Sequence, residues 1–221
     1  IITMLYNSLT VIIEVPMPRT VTTQADILAA GREEFLRKGF KDASLREIAA
    51  AAGVTTGAIY GYYPDKEALF SALVEPAAGE VKRRFLNVQH NFTELPQQEQ
   101  IRSMSSYSGG ELRSLLAYVY EHFDAFRLVV CRSGGTRYEE YVDELVAVET
   151  KSTMDFIRVL RQNGYTVTSM SPNLVHILGN AYFSAIFETV AHNMDKAEAD
   201  EYVDHITTFF TAGCNALLGL S

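Results

Sequence analysis

Glu149 is the residue whose position in the sequence most invites chemistry. When residues are placed at intervals of about 100° around a helix, Glu149 falls near the middle of an apolar face, opposite Lys151, Asp155 and Arg158. The apolar residues of that face are Val142, Leu145, Val146, Phe156, Ile157 and Leu160. A carboxylate in such a place must be paired or protonated, because burying it unpaired is costly.

Two interpretations of Glu149 follow from this position. The first gives it an internal ion-pair partner, one of Arg127, Arg132 or Arg137. The second makes it the acid of a pocket that binds a cationic or hydrogen-bonding small molecule among aromatic residues, chiefly from the preceding helix. The predicted pocket residues are Tyr120, Phe123, Phe126, Glu149, Phe156 and His176.

Metal or catalytic chemistry finds little support. His122 and His176 are available, but no two histidines stand three or four residues apart, which favours ordinary core or surface histidines. Cys131 and Cys214 lie in apolar helical patterns without a CxxC pair, as buried reduced thiols do. The sequence has no Gly-rich phosphate loop and no nucleophile motif. We therefore expect no enzyme activity, no metal and no cofactor.

A second group of candidate residues lies between positions 44 and 69. Ser44, followed three residues later by Glu47, predicts a capping box at the start of a short helix over residues 45–52. Gly53 predicts a tight turn of positive φ, and Thr55 is placed to cap a third helix. Two short helices joined in this way are typical of a helix-turn-helix, whose second helix enters the DNA major groove.

Residues 44–69, SLREIAAAAGVTTGAIYGYYPDKEAL, resemble the DNA-binding signature of the tetracycline-repressor (TetR)/AcrR family nearly end to end. The resemblance implies that Thr56, Gly57 and Gly61 face or approach base edges. It implies contacts to the DNA backbone for Ser44, Thr55, Tyr60, Tyr62 and Lys66.

The sequence departs from the commoner family pattern at two of these positions. Thr56 stands where Lys or Arg is frequent, and Gly61 where a larger polar residue often occurs. Few side chains remain for bidentate base contacts. We therefore expect specificity to depend on Arg46, on DNA shape, or on Arg19 in the N-terminal arm.

Apolar residues recur every three or four positions through most of the chain after Thr22, which predicts an all-α protein of about nine helices. The first predicted helix covers residues 23–38 and is stopped by Gly39. The other predicted helices are residues 45–52, a short one from 55, one from 65 to about 88 with a kink at Pro76, and 111–131, 138–163, 173–194 and 196–218. Polar, turn-rich stretches fall at residues 91–98 and 105–110. We predict an arm over residues 1–18, a three-helix DNA-binding domain over 19–68, and a helical-bundle domain for effector binding and dimerisation over 69–221.

The resemblance also implies that the last two helices form a four-helix dimer interface with their symmetry mates. The predicted interface residues are Phe183, Phe187, Phe209, Gly213, Ala216 and Leu217. A two-fold dimer sets its recognition helices ~34–36 Å apart, one DNA turn. A ligand that favours another separation weakens binding to DNA.

The charge distribution is compatible with DNA binding. Residues 1–87 carry ten Lys/Arg and ten Asp/Glu, whereas residues 88–221 carry nine against seventeen, which accounts for the whole net charge of −8. A DNA-reading domain need only be locally basic, so the acidic remainder excludes nothing. The apolar run over residues 9–15 is too short to span a membrane and lacks a basic leader, so we expect a cytoplasmic protein without a membrane partner.

Together these patterns predict a homodimeric repressor that binds a palindromic double-stranded DNA operator and is released by a small-molecule effector. The alternative is a DNA-binding regulator whose C-terminal domain senses a protein partner or activates transcription. Release of the operator by a small molecule separates the two.

Overall fold

The computed structural model of the chain describes residues 19–220, with side chains described for residues 23–104 and 112–220. Over these residues the fold is all-α, as predicted, with nine helices and no strand. The helices are α1 (Arg19–Asp42), α2 (Leu45–Ala51), α3 (Thr56–Tyr62), α4 (Lys66–Glu94), α5 (Gln97–Glu121), α6 (Phe123–Arg132), α7 (Tyr141–Gln162), α8 (Pro172–Ala191) and α9 (Lys196–Leu218). The predicted arm, residues 1–18, lies outside the described residues.

Helices α1 to α3 and the start of α4 enclose a small apolar centre. Ile27, Phe35, Ile48 and Ile59 are fully buried there. The helical backbone of α1 is broken at Gly39, with φ 77° and ψ 168°, which is the predicted stop. Gly53, with φ 67°, makes the turn between α2 and α3. Both glycines occupy the backbone region that side-chain-bearing residues rarely adopt.

Helix α4 links the N-terminal unit to the larger bundle. The Asp65 carboxylate caps it by accepting a hydrogen bond from the Ala68 N–H at 2.7 Å. The helix continues past Pro76 and, beyond the predicted end, to Glu94. Its buried side chains belong to the N-terminal core at Phe70 and to the bundle at Phe85. The hydrophobic core is continuous across the predicted domain boundary between residues 68 and 69.

The bundle differs from the prediction at α5. The turn predicted over residues 105–110 is helical backbone inside α5, and the helix predicted over residues 111–131 is interrupted at His122. The corner lies earlier, where the Gln100 side-chain amide donates to the carbonyls of Thr93 and Leu95 at 3.2 and 2.8 Å. Packing of α5 on α4 overrides the weak helix propensity of its Ser and Gly residues.

Candidate functional site

Helix α3 presents a small polar surface to solvent. Its N-cap Thr55 accepts a hydrogen bond from the Ala58 N–H at 3.2 Å, so the predicted cap is formed. Ile59 is fully buried and anchors the helix, whereas Tyr60 is 54% exposed. Thr55, Gly57 and Gly61 are also exposed, and Thr56 is half-buried. The Thr55 hydroxyl retains its own proton for a further acceptor.

The two exposed glycines of α3 are not required by the chain itself. A Cβ added to Gly61 meets no atom within 4 Å, and one added to Gly57 meets only the Thr55 hydroxyl at 3.7 Å. Neither glycine has a positive φ. A glycine inside a helix costs about 1 kcal/mol relative to alanine. The absence of side chains at Gly57 and Gly61 therefore leaves space at the surface of α3 for another molecule.

Lys66 lies closer to the protein than predicted. Its ammonium group donates to the carbonyls of Lys41 and Ala43 at 3.1 and 3.0 Å and stands 4.6 Å from the centroid of the Phe40 ring. Two of its three N–H donors are thus committed to the end of α1. One donor remains for a phosphate.

The predicted capping box at Ser44 is wrong. Ser44 is the N-cap residue of α2, but its side chain makes no capping hydrogen bond. The reciprocal carboxylate comes from α1, because Glu34 Oε1 accepts a hydrogen bond from the Ser44 N–H at 3.3 Å. Glu47 instead forms ion pairs with Arg37 and Lys38, whose nitrogens lie 3.1 and 2.6 Å from its Oε2.

The remaining predicted contact residues flank α3. Arg46 is exposed on α2 and has no ion-pair partner within 4.0 Å among the described residues. Tyr62 is half-buried, with its ring centroid 6.4 Å from that of the buried Tyr63. The predicted contact residues thus lie on α2, α3 and the first turn of α4, although Lys66 and Tyr62 are only partly available.

Glu149 has no internal cation. The side-chain amide of Gln89 donates to its Oε2 at 2.6 Å, and the Thr153 hydroxyl donates to its Oε1 at 3.1 Å. The predicted arginine partners are wrong, since Arg137 binds Glu75 on α4 at 2.8 Å and neither Arg127 nor Arg132 reaches Glu149. Burial raises the pKa of Glu149, and its two neutral hydrogen-bond donors only partly oppose that shift.

Glu149 stands where two cavities meet. The larger cavity has a volume of about 850 Å³ and the smaller one about 430 Å³. Both volumes include the part of each cavity that is open to solvent. They share Met104, Glu149 and Thr153. The smaller is completed by Val88, Gln89, Phe92, Ser152 and Phe156. The larger is completed by Met170, Val175, Leu178, Gly179, Tyr182, Thr207, Phe210, Thr211, Cys214, Asn215 and Leu218.

Most of the predicted pocket aromatics are elsewhere. Phe126 is fully buried in the main core, and Tyr120 turns its hydroxyl to the Met194 carbonyl at 3.2 Å, beside Phe123. His176 is exposed and lines neither cavity. Only Phe156 joins Glu149, in the smaller cavity.

The aromatic rings of the larger cavity are Tyr182 and Phe210, which the sequence analysis missed. Their ring centroids are 5.1 Å apart. The available signal was the spacing of Tyr182, one turn after Leu178 on the same face of α8.

Helices α8 and α9 leave an apolar surface uncovered. Ile177 is 61% and Phe209 72% exposed, and Gly213 and Ala216 are also exposed. Leu217 is half-buried against an apolar cluster that includes Ile157 and Leu218. The prediction for Phe187 is wrong, whereas Phe183 is half-buried and its place in an interface stays a prediction. Phe183 meets Phe85 edge to face at 5.6 Å, and Phe187 belongs to the buried core.

Two properties of the described residues bear on other classes of protein. Helix α8 is long and apolar enough by length and composition to cross a membrane, a test that a core helix also passes. No group of three or more His, Cys, Asp or Glu side chains in the described part of the chain is arranged to hold a metal ion.

Comparison with known proteins gives the N-terminal unit its class. The family model for "Bacterial regulatory proteins, tetR family" matches residues 27–73. The regulator AcrR of Shigella flexneri is 40% identical over 70 residues, which are 32% of this chain and 33% of AcrR. The repressor BepR of Brucella suis is 42% identical over 52 residues, 24% of this chain and 25% of BepR. The chain therefore matches about a third or less of the length of these relatives.

Solved structures share the fold over most of the chain. NalD of Pseudomonas aeruginosa, the secondary repressor of the MexAB-OprM multidrug efflux pump, is similar with a TM-score of 0.55 at 18% identity, covering 88% of this chain and 97% of that one. FadR of Bacillus subtilis, solved with stearoyl-CoA, has a TM-score of 0.52 at 14% identity, covering 86% and 98%.

The N-terminal unit is thus similar to the DNA-binding unit of bacterial helix-turn-helix transcriptional regulators. In sequence the similarity to TetR/AcrR regulators covers the N-terminal unit, residues 27–73, and the solved structures extend the likeness in fold over most of the chain.

Proposed function

We propose that this chain is a cytoplasmic repressor that binds a palindromic operator as a homodimer and leaves it when a small molecule enters the C-terminal bundle. The observation that carries the proposal is the outer surface of α3. Tyr60 projects there between Gly57 and Gly61, which no intrachain contact requires. A flat, donor-bearing helix held by buried Ile59 suits close approach to the major groove.

Dimerisation is proposed through the uncovered surface of α8 and α9. A large exposed phenylalanine, Phe209, stands beside the small residues Gly213 and Ala216, so a symmetry-related helix can approach closely. Exposed apolar patches of this kind mark interaction sites. Two-fold pairing would place two α3 helices ~34–36 Å apart on one side of the duplex.

Release by a ligand needs a mechanical link between bundle and DNA-binding unit. We propose the loop over residues 133–140, named here the α6–α7 loop. The Arg137 N–H donates to Glu67 at 3.0 Å and its guanidinium to Glu75 at 2.8 Å, both on α4. At Gly135, an added Cβ would come within 3.0 Å of Lys41 Cε at the end of α1. A shift of α6 or α7 would therefore reach α1 and α4 together.

The names of similar proteins support the same function. BepR is a repressor, NalD represses an efflux pump, and FadR of Bacillus subtilis was solved with an acyl-CoA. Those descriptions belong to those proteins, and for this chain they favour repression and a small-molecule effector.

The test is binding of the full-length protein to the DNA just upstream of its own gene, across a series of salt concentrations. We expect tight, salt-sensitive binding, which Tyr60→Ala weakens about tenfold to a hundredfold by removing a contact to a charged phosphate. Tyr165→Ala is the matched control, because Tyr165 is 37% exposed at the end of α7, away from α3. Equal loss in both variants, or no binding to neighbouring intergenic DNA, would contradict the proposal.

A further inference from the structure

We propose that Glu149 is the recognition group for an organic cation with an apolar body, which lies in the larger cavity with its charged end against the carboxylate. The inference rests on the proposed function, since it names the chemical class of the effector. It also corrects the site predicted from sequence, because the walls come from α8 and α9 rather than from the helix before Glu149.

Glu149 has no positively charged side chain beside it among the described residues. Each carboxylate oxygen accepts a hydrogen bond from a neutral group, Gln89 or Thr153. No Lys, Arg or His of the described chain lies within 4.0 Å of it. A second hydrogen bond, from the Ser152 hydroxyl to Gln89 Oε1 at 2.5 Å, fixes the amide with its N–H toward the carboxylate. Gln89 and Thr153 therefore hold the side chain of Glu149 in place without supplying a counter-charge.

The walls of the larger cavity suit a cation with an apolar body. Tyr182 and Phe210 offer two aromatic rings, and aromatic faces attract organic cations. Met170, Val175 and Leu178 provide apolar surface away from the acid. A cation bound here would meet one negative charge and two rings, whereas a carboxylic acid would meet a like charge in a poorly hydrated space.

The titratable groups that face the cavity predict a second measurable effect of cation binding, a release of protons. Among the residues with described side chains they are Glu149 on α7, Tyr182 on α8 and Cys214 on α9, while α4 and α5 contribute the neutral Gln89 and Met104. Burial raises the pKa of each of the three, and the Glu149 charge further raises the pKa values of Tyr182 and Cys214. A bound cation favours the ionised form of Glu149 and so lowers its pKa, releasing protons on binding. A neutral ligand with the same body does not.

The experiment is calorimetric titration of the full-length protein, without DNA, with three probes that share one apolar body. These are 4-phenylbutylammonium, 4-phenylbutanol and 4-phenylbutanoate. Near neutral pH we expect the ammonium to bind at least about tenfold more tightly than the alcohol, with the carboxylate weakest. Repetition in buffers of different ionisation enthalpy, at pH values from about 5 to 8, should reveal proton release with the ammonium alone, at the pH values where free Glu149 is partly protonated.

Variants locate the effect. Glu149→Gln should remove the preference for the ammonium and its proton release while leaving the affinity for the alcohol unchanged. Glu140→Gln, an exposed acid at the start of α7, should leave the preference intact. Tyr182→Leu should weaken binding of the ammonium more than binding of the alcohol. The comparison of the three probes on the unmodified protein tests the proposal even if Glu149→Gln fails to fold.

Two results would overturn the inference. One is equal affinity for ammonium and alcohol, or no binding of either; the other is a preference that survives Glu149→Gln. Because DNA is absent from the titration, these results leave the proposed repressor function untouched. Failure of operator binding would instead show in the Tyr60→Ala comparison.

Discussion

The Glu34 carboxylate, on α1, accepts a hydrogen bond from the backbone N–H of Ser44, the N-cap residue of α2, at 3.3 Å. The side chain of Glu34 is only 6% exposed, and Arg37 and Lys38 cover it from the solvent side. One carboxylate thus caps the first helix of the helix-turn-helix from a neighbouring helix and, together with Glu47, pairs with two cations.

Glu34→Gln should lower the free energy of unfolding by about 1–3 kcal/mol at neutral pH, because charge-assisted bonds to Arg37 and Lys38 are lost. Burial opposes ionisation of Glu34, but the bonds from Lys38, Arg37 and the Ser44 N–H lower its pKa below 4.5. A lowered folded-state pKa contributes stability above the unfolded pKa and loses it as pH falls through the folded one. The difference between wild type and variant should therefore shrink below about pH 4.5, measured by urea unfolding.

Glu33→Gln is the control for this measurement, since Glu33 is the exposed neighbour on the same helix. A pH-independent difference, or an equal loss in Glu33→Gln, would show that the Glu34 carboxylate does not hold α2.

Local sequence signals accounted for much of the helical framework. The predicted bounds of α9, residues 196–218, are those observed, and Thr55, Gly39 and Gly53 act where the sequence places them. Each depends on a cap or a backbone conformation that a few adjacent residues determine. The capping box at Ser44 failed because Glu34, ten residues earlier, reaches the same N–H and leaves Glu47 to the two cations.

The surroundings of Glu149 could not be predicted in the same way. Helical periodicity placed Glu149 correctly on an apolar face, but periodicity cannot say which helix covers that face. Gln89 comes from α4, and Tyr182 and Phe210 come from α8 and α9. The same limit explains Phe187, which packs inward on α7 rather than outward.

Gly53 and Gly61 both have room for a side chain but differ in backbone conformation, and this difference provides a second prediction. A Cβ added to either Gly61 or Gly53 meets nothing within 4 Å, but only Gly53 has a positive φ, 67°. Gly61→Ala should raise the free energy of unfolding by up to about 1 kcal/mol, so the melting temperature should stay the same or rise. The same variant should bind the operator more weakly. Gly53→Ala should be destabilised by about 1–2 kcal/mol, because its backbone disfavours a side chain. Undiminished operator affinity in Gly61→Ala would remove the evidence for close approach of DNA at α3.

Phe209→Glu should convert the proposed dimer to a monomer. It places a charge at the most exposed apolar side chain of α9, and desolvating that charge should raise the dimer dissociation constant by about a hundredfold or more. Analytical ultracentrifugation over a concentration series measures the change. Leu86→Glu, at a 42% exposed position on α4, should stay dimeric. A dimer that persists in Phe209→Glu would move the interface away from α8 and α9.

Arg137→Ala should loosen the DNA-binding unit without unfolding the protein. The Arg137–Glu75 pair is exposed, with side chains 60% and 54% accessible, so its loss should change global stability by less than about 1 kcal/mol. Arg137 nevertheless anchors the α6–α7 loop to α4, and that loop touches the end of α1 through Lys41. Amide hydrogen exchange should therefore quicken in residues 39–45 and in the first turns of α4. Arg113→Ala breaks an equally exposed pair, with Asp204, and should leave those amides unchanged. If both variants exchange like wild type, the α6–α7 loop does not couple the bundle to the DNA-binding unit, and the link must run along α4 alone.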